Sequence, residues 1–309
     1  MSSLQKTFVR AIEVWRPDGE LLQRDSGAYG KLVDFERASV ELTLRKGQGL
    51  PGAAFSTMRP EIWHELGTRF LRAAPAQTGG IGAAVALPFF RGSQLFAVVA
   101  FYCGNADESG GCIEVWEPNQ EGSLEHADGY YGRLHEFERV SRALTFGSGV
   151  GLPGMVLKQG LPRIIDDLGK SSSFVRARAA REHGVESGLG IPLYCGGTIA
   201  HVALFLSATA SPLARAFEVW MPEGQDCLVR GSAFYAPELA GFGQARSALR
   251  LSPSAGLAGQ AWATGIPVAS STAAGGRRLE AAREAGIDLA LAMPIDDGQE
   301  IRAVVTLFV

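Results

Sequence analysis

Short apolar runs alternate with polar, glycine-rich stretches along the whole chain, and the same succession of runs occurs three times. Each copy opens with a run rich in β-branched and aromatic residues, at residues 8–15, 112–116 and 216–220. Each copy also closes with two further apolar runs. All of these runs predict strands, because β-branched and aromatic residues favour a pleated, half-buried surface.

The segment between the opening and closing strands has helical periodicity instead. A phenylalanine precedes a glycine-rich turn by 14 residues in every copy, with a leucine seven residues after it, at Phe35, Phe137 and Phe242. That spacing places both side chains on one face of a helix. In the second copy a later amphipathic helix is predicted between an N-cap at Ser173 and a stop at Gly184. The third copy repeats it at 278–285, whereas Pro75 interrupts it in the first.

Short motifs fix the register of the copies. Glu-Val-Trp occurs at residues 13–15, 114–116 and 218–220, and Gly-Leu-Pro-Gly at 49–52 and 151–154, with the altered copy Gly-Leu-Ala-Gly at 256–259. Equivalent positions are 101 to 105 residues apart, so the 309-residue chain is predicted to contain three units at residues 1–106, 107–209 and 210–309. A period of about 100 residues is that of a domain with its own core, since solenoid repeats are much shorter.

The closing strands are apolar on both faces, as the sequence Leu-Phe-Ala-Val-Val-Ala-Phe at 95–101 illustrates. Strands of that kind are covered on both sides. The linkers at 104–111 and 207–213 leave no room for long flanking helices. The second face of each sheet is therefore expected to be covered by another copy or by another molecule.

A glutamate and a tryptophan two residues apart share one face of each opening strand. The three pairs are Glu13 with Trp15, Glu114 with Trp116 and Glu218 with Trp220. They are candidate joints between the units. The alternative is an ordinary strand in which the tryptophan is core and the glutamate lies at a rim.

Composition narrows the class of partner. The chain is 46% hydrophobic and 20% charged, with a net charge of −3, which describes ordinary globular domains. This charge gives no basis for binding nucleic acid or an anionic membrane. Neither a cationic leader nor an 18-residue apolar stretch is visible, and a cytoplasmic protein is expected.

Cysteines and histidines do not support a cofactor, a metal site or a catalytic site. The cysteines are Cys103, Cys112, Cys195 and Cys227, and none forms a CxxC pair or recurs between copies. The histidines do not coincide between copies either. We therefore expect no cofactor, no metal and no enzymatic activity.

The chain resembles the GAF domain, a sensory module related in shape to PAS domains. The resemblance rests on the G-x-G-L-P-G turn at 47–52 and 149–154, the G-x-P-x-I-I-D-D strand at 160–167 and the G-V-x-S-x-L-x-I-P-L strand at 184–193. It implies three tandem GAF/PAS-like domains of the α+β class, each a mostly antiparallel sheet with short helices on one face and without long flanking helices. It also implies a pocket between the sheet and the helices.

In the second unit the resemblance implies that the pocket is lined by one set of residues, namely Tyr131, Asp166, Asp167, Phe174 and Arg178. Other readings stay open, because the aspartates are good turn formers and the arginines near 176–181 suit a solvated helix face. The cyclic-nucleotide motif of the family is absent. The paired cysteines of its free methionine-(R)-sulfoxide reductases are absent too, which makes a thiol-dependent reductase the weakest alternative.

Two functional hypotheses follow. In the first, the chain is a non-enzymatic signalling protein in which at least one pocket, foremost that of the second unit, binds a small molecule. Binding then shifts the arrangement of the three domains or their contact with a partner protein. In the second, the pockets are collapsed and the units form an oligomeric scaffold or an adaptor subunit of a larger complex. Both require self-association or a partner protein.

Overall fold

The computed structural model describes residues 7–67, 70–107, 110–274 and 279–309. Over these residues the chain is mainly β-sheet with short helices, which is the α+β class that the sequence predicts. The order strand, strand, helix, strand, helix, strand, helix, strand, strand occurs in three successive segments, called here the first, second and third repeats.

The first repeat contains β1 (Val9–Asp18), β2 (Leu21–Ala28), α1 (Val33–Val40), β3 (Thr43–Arg45), α2 (Gly49–Thr57), β4 (Glu61–Trp63), α3 (Ala73–Thr78), β5 (Ile81–Arg91) and β6 (Gln94–Gly104). The second contains β7 (Gly110–Pro118), β8 (Leu124–Gly132), α4 (His135–Arg142), β9 (Thr145–Phe146), α5 (Gly151–Gln159), β10 (Arg163–Ile165), α6 (Ala177–His183), β11 (Val185–Cys195) and β12 (Thr198–Ala208). The third contains β13 (Ala216–Glu223), β14 (Cys227–Tyr235), a 3-10 turn (Pro237–Leu239), α7 (Ala240–Ala245), β15 (Arg250–Leu251), α8 (Gly256–Thr264), β16 (Val268–Ser271), α9 (Glu280–Glu284), β17 (Leu289–Asp296) and β18 (Ile301–Phe308).

The three repeats share one strand order. The sheets run β3-β2-β1-β6-β5-β4, β9-β8-β7-β12-β11-β10 and β15-β14-β13-β18-β17-β16, with antiparallel neighbours throughout. Strand β16 also pairs in parallel with β2, where Ser270 lies opposite Gly27. This pairing joins the sheets of the third and first repeats into one continuous sheet.

The outer faces of all three sheets pack against one another in a shared central core. Phe101 of the first repeat, Phe205 of the second and Phe217 of the third are each fully buried in it. The rings of Phe101 and Phe205 lie 5.3 Å apart. The prediction that the second sheet face is covered is confirmed, and the cover is the other repeats of the same chain.

The repeats meet in a closed ring. Strand β4 lies against β8, β10 lies against β14, and β16 pairs with β2. The joint between β16 and β2 is reinforced by Ser271, whose Oγ accepts hydrogen bonds from the backbone nitrogens of Tyr29 (2.9 Å) and Gly30 (3.3 Å). The short edge strand of each repeat thus contacts the second strand of the next.

The joint between the first and second repeats carries an ion pair between His64 and Asp128, with Nε2 and Oδ1 3.2 Å apart. The hydrogen bond to Asp128 raises the pKa of His64. The ion pair stabilises the folded protein only while the imidazole is charged. This stabilisation is therefore fully present below the ordinary histidine pKa of about 6.5, and it is lost as the pH rises through the pKa of the folded state. We expect His64→Gln to lower the melting temperature at mildly acidic pH and not at alkaline pH.

Thermal melts across this pH range test that expectation, with His135→Gln, an exposed histidine of α4, as the control. Asp128 also lies 3.7 Å from Arg142, which pairs with Glu138. Both variants keep these charges, so their effect on stability is common to the two sets of melts. A stability loss in His64→Gln that grows towards alkaline pH contradicts the ion pair.

The β-hairpin turns between β5 and β6, β11 and β12, and β17 and β18 converge at one end of the central core. The backbone nitrogen of Gly196 donates to the carbonyl of Gly92 at 2.8 Å. A Cβ on Gly298 would lie 3.5 Å from the Cα of Gly92 and 3.7 Å from that of Gly197. Gly92, Gly197 and Gly298 have positive φ values of 58°, 79° and 91°, a backbone conformation that favours glycine in each turn.

The last glycine of the Gly-Leu-Pro-Gly motif has a steric reason in every repeat. A Cβ on Gly52, Gly154 or Gly259 would lie 2.4, 2.1 or 2.5 Å from a backbone carbonyl oxygen. No side chain fits at such distances, so the helix can pack onto the preceding turn only when this position is glycine. The requirement holds in the third repeat even though the proline of the motif has become alanine there.

Helix boundaries differ from the predicted ones in informative ways. Helix α6 begins at Ala177, whereas the predicted cap at Ser173 placed its start earlier. Helix α3 forms in spite of Pro75, because a proline in the first turn removes an N–H that has no intrahelical partner. The predicted start of the equivalent helix at Arg278 lies outside the described residues. No helix in the described part of the chain is long and apolar enough to cross a membrane.

Candidate functional site

Each repeat contains a fully buried glutamate on its opening strand. Glu13, Glu114 and Glu218 are each 0% exposed. In every case the indole Nε1 of the tryptophan two residues later donates to the carboxylate, at 3.0, 2.9 and 2.9 Å. The Glu-x-Trp spacing is thus explained by a hydrogen bond between neighbours on one strand face.

In the first repeat an arginine neutralises this carboxylate. Arg72 donates from Nη1 to Oε1 of Glu13 at 2.5 Å and from Nη2 to Oε2 at 3.2 Å. The hydroxyls of Tyr29 (2.9 Å) and Tyr102 (2.6 Å) donate to the same carboxylate. Arg72 also bonds to the Oγ of Ser39. Every oxygen of Glu13 has several donors, which is what burial of a carboxylate requires.

The second repeat also pairs its buried glutamate, Glu114, with an arginine. Arg176, which precedes α6, donates from Nη1 to Oε1 and from Nη2 to Oε2, the latter at 2.9 Å. It also bonds to Ser141, as Arg72 does to Ser39. The guanidinium side chain is 0% exposed, like the carboxylate with which it pairs. Both charged side chains of this pair are therefore closed to solvent.

In the third repeat an arginine from a different position pairs with the buried glutamate. Arg246 donates from Nε and Nη2 to the two oxygens of Glu218, at 2.6 and 2.7 Å. It lies four residues after Phe242, where the other repeats carry Ser39 and Ser141. Its side chain is 20% exposed, compared with 4% for Arg72 and 0% for Arg176. The third cluster is therefore the one of these three that solvent reaches.

Charge pairing controls ionisation in the clusters. Burial by itself would raise the pKa of Glu13, Glu114 and Glu218, but the partner arginine outweighs it and each pKa is lowered. In the first repeat, burial first and the Glu13 charge second raise the pKa of Tyr29 far above its ordinary range. The glutamates are therefore anionic, and the tyrosine hydroxyl is a fixed donor rather than a base.

A basic side chain lies opposite each tryptophan on the second strand, five residues before the recurring tyrosine. The basic residues of the three repeats are Arg24, His126 and Arg230. In the second repeat Nε2 of His126 lies 2.7 Å from the hydroxyl of Tyr131. In the third, Arg230 donates to the hydroxyl of Tyr235 at 3.0 Å and to the carbonyl of Gly243 at 3.1 Å.

The structure divides the predicted ligand set of the second repeat between interior and surface. Tyr131 and Phe174 are buried in its core, and Phe174 packs against the Arg176 guanidinium. Asp166 is exposed. Asp167 accepts from the backbone nitrogen and the Nζ of Lys170, at 3.0 and 2.9 Å. These side chains do not converge on one cavity.

Arg178, the remaining member of the set, points to solvent. Its side chain is 86% exposed and pairs with Glu182 one helical turn later. The residue that turns inward is Arg176, two positions earlier. Arg176 is not in the predicted ligand set, and the sequence pattern left open that it lies on a solvated helix face. One signal was available: Arg72 and Arg176 each lie eight residues before a glycine, Gly80 and Gly184, in their copies.

The Glu/Trp pairs, taken as candidate joints, face the helices of their own repeat. Trp15, Trp116 and Trp220 each belong to a core separate from the shared central one. The central core is instead formed by the alternate residues of the same strands, such as Val14, Val115 and Val219. Two-residue alternation correctly grouped the pairs, and it is the opposite face that joins the repeats. The glutamates also lie deeper than the rim position that the alternative assumed.

The cysteines lie in separate environments. Cys103 and Cys112 are buried, and burial raises the pKa of both thiols above the ordinary range. Cys195 and Cys227 are partly exposed and belong to the second and third repeats. A buried thiol with a raised pKa is largely protonated at neutral pH and is therefore a weak nucleophile.

Two openings of small-molecule size involve the third repeat. The first is a groove of about 490 Å³ in the third repeat, between β14 and α7, lined by Arg230, Tyr235, Gln244 and Ser247. The second is a cleft of about 410 Å³ between the first and third repeats, lined by Arg10, Lys31, Arg215 and Asp288 among others. Both volumes are in the range of small-molecule sites.

The fold is similar to solved GAF-domain structures over about a third of the chain. The nlh2 GAF domain of A. aeolicus in an inactive state is 18% identical, with a TM-score of 0.26 over 31% of this chain and 57% of that chain. A Staphylococcus aureus NreA protein mutated in its nitrate-binding site is 16% identical, with a TM-score of 0.28 over 35% of this chain and 80% of that chain.

Free methionine-R-sulfoxide reductase from Neisseria meningitidis, in complex with its substrate, is 13% identical, with a TM-score of 0.26 over 33% of this chain and 53% of that chain. The chain thus spans little more than half the length of the A. aeolicus and Neisseria structures. No protein-family model matches the sequence, and no curated protein matches it. At these identities and TM-scores the likenesses say nothing about what the chain binds.

Proposed function

We propose that the chain is a non-enzymatic binding protein of three GAF-like units at residues 1–106, 107–209 and 210–309. In this proposal the first two units are structural and the third recognises a small molecule. The repeated strand order and the glycine motifs support three units of one kind. Fold alone does not set function, and the interiors of the units differ in a way that bears on binding.

One observation carries the proposal, namely the different burial of the arginine that pairs with the buried glutamate. In the first and second repeats, Arg72 and Arg176 are almost fully buried and fill the space between sheet and helices. A ligand there would have to displace a charged side chain that pairs with the buried carboxylate, which leaves that carboxylate uncompensated. These two interiors are therefore closed.

The third repeat keeps the same polar groups near solvent. Arg230 and Tyr235 are half-buried and lie in the wall of the open groove, and Tyr235 connects directly to Glu218. A polar ligand in the groove would contact hydrogen-bonding groups that are already fixed by the cluster behind them. We therefore propose that the small-molecule site lies in the third repeat and not in the second.

Native mass spectrometry of the purified protein tests this proposal, with Ser247→Trp as the blocking variant. Ser247 is exposed in the groove wall, so an indole there fills the groove without entering the core. We expect a stoichiometric small-molecule mass on the wild-type chain and its loss in Ser247→Trp. The bound ligand is also expected to raise the melting temperature of the wild type, because a ligand that binds the folded state stabilises it.

Ser173→Trp is the matched control, since Ser173 is an exposed serine of the second repeat. It leaves the bound mass unchanged, and so does Asp167→Ala. Loss of the bound mass in Asp167→Ala would indicate that the ligand binds in the second repeat instead. A chain without any bound mass, and without ligand-dependent melting, contradicts small-molecule binding in the groove.

Binding of a partner protein, or self-association, is the second candidate. It is favoured by large apolar side chains that are more than half exposed on the helix side of the first two repeats. They are Val33, Val40, Leu71, Val150 and Val175. Leu71 and Val175 occupy equivalent positions, each directly before the buried arginine. A ligand-free dimer or larger assembly in the same mass spectra would favour this candidate.

A further inference from the structure

The cleft between the first and third repeats is a second opening, distinct from the groove of the third repeat. Its walls come from the start of β1, the loop after β2, the segment before β13 and the chain before β17. The β16–β2 pairing lies beside it, since Tyr29 and Gly30 both line the cleft and bond to Ser271. Two repeats therefore build this cavity, and neither builds it alone.

Two arginines of the cleft come from equivalent positions in their repeats. Arg10 lies three residues before Glu13, and Arg215 lies three residues before Glu218. The second repeat has Gly111 at this place, where a Cβ would lie 3.2 Å from the ring of Phe8. Only the first and third repeats carry a guanidinium at this position, and closure of the ring brings both to one cavity.

The side chains that line the cleft include more cationic than anionic groups. Its described lining carries three cationic side chains, Arg10, Lys31 and Arg215, and two anionic ones, Glu238 and Asp288. Arg215 is held in place by Glu238, 3.1 Å from its Nε, and by the carbonyl of Gly286, 2.7 Å from its Nη1. A guanidinium fixed in this way retains donors for a further acceptor.

We infer that this cleft binds a small organic oxyanion, a carboxylate or a phosphate that also carries hydroxyl or amino groups. The guanidinium groups and Lys31 hold the oxyanion, because planar forks of N–H donors match carboxylate and phosphate geometry. Glu238 and Asp288 accept from the hydroxyl or amino groups. A volume of about 410 Å³ holds a molecule of that size.

Binding there has a structural consequence for the ring. The ligand contacts the Tyr29 loop of the first repeat and the Arg215 segment of the third at once, so it ties the two repeats together beside the β16–β2 pairing. Tyr29 also donates to Glu13 within the first repeat. Occupancy of the cleft is thereby connected to the interior of the first repeat through one residue.

Isothermal titration calorimetry of the full chain tests the inference, with citrate, glycerol phosphate, inorganic phosphate and neutral glycerol as probes. We expect citrate or glycerol phosphate to bind with one site per chain, and glycerol not to bind. Lys31→Glu and Arg10→Gln are each expected to weaken that binding about tenfold or more, the loss associated with one charged hydrogen bond. A preference for citrate identifies a carboxylate ligand, and a preference for either phosphate identifies a phosphate ligand.

Arg133→Glu is the matched control, because Arg133 is the exposed residue of the second repeat at the position equivalent to Lys31. It leaves the affinity unchanged. Absence of binding by all anionic probes overturns the inference, and so does an equal loss in Arg133→Glu and Lys31→Glu. Ser247→Trp retains anion binding, which separates a failure of this site from a failure of the groove proposed above.

Discussion

Arg176→Met is expected to lower the free energy of unfolding by about 3–5 kcal/mol, the cost of leaving a buried charge without its partner. Arg176 is the arginine that neutralises Glu114 in an interior closed to solvent. Methionine occupies similar space but brings no charge and no donors. Urea unfolding followed by fluorescence of the buried tryptophans measures the loss.

Arg178→Met provides the control two residues away. Its side chain is exposed and pairs with Glu182 on the surface, so its replacement is expected to change stability by no more than about 0.5 kcal/mol. The double variant Glu114→Gln with Arg176→Met regains part of the loss, because it removes the orphaned charge. Similar losses in Arg176→Met and Arg178→Met would contradict the assigned pairing.

Acid reduces the difference in stability between Arg176→Met and the wild type. The pKa of Glu114 is lowered in the folded wild type, so its contribution is present above the ordinary pKa of about 4.3 and is lost as the pH falls through the folded value. In Arg176→Met the isolated carboxylate takes up a proton readily, because burial now acts without opposition. The stability gap between variant and wild type therefore narrows at acidic pH.

Phe205→Ala has the second-largest expected effect, a loss of about 3–5 kcal/mol, because it creates a cavity in the core that all three repeats share. The ring of Phe205 is fully buried and lies against Phe101 of the first repeat. We expect calorimetry to give one unfolding transition for the wild type and one, at lower temperature, for the variant. A defect in a common core destabilises every repeat that contributes to it.

Val40→Ala is the comparison for Phe205→Ala, since Val40 is 53% exposed on α1. Its replacement is expected to change stability by about 0.5 kcal/mol or less. Two separate transitions in Phe205→Ala, with the melting of the first and third repeats unchanged, would contradict a shared core.

Much of the fold is readable in the sequence because local chemistry determines it. The Glu-Val-Trp strands, the helix before each glycine-rich turn and the closing hairpins all form where their patterns predict. Alternation also places Glu13 and Trp15 on one face of β1. Alternation does not predict which face meets the other repeats. Both faces of these strands carry apolar residues, and the choice depends on packing between distant segments.

The candidate site was harder to predict for the same reason. Glu114 and Arg176 are 62 residues apart, and nothing local marks them as a pair. Placing the helix start at Ser173 instead of Ala177 assigned Arg176 to a solvated face, whereas in the structure it precedes the helix and turns inward. In the third repeat the partner is Arg246, at a serine position of the other copies, so even perfect alignment of the repeats would have missed it.

The ring of three joined repeats has a consequence for how recognition can diversify. Had the ring been assembled from three identical chains, every surface position would occur three times, and any substitution would alter all copies together. Covalent fusion removes that constraint. Gly111 can stand where the other repeats carry Arg10 and Arg215, and Arg246 can replace Arg72 and Arg176 in only one interior. A single symmetric ring can therefore carry sites that occur in one place only. Each such site can acquire its own specificity without a matching change at the equivalent positions of the other repeats.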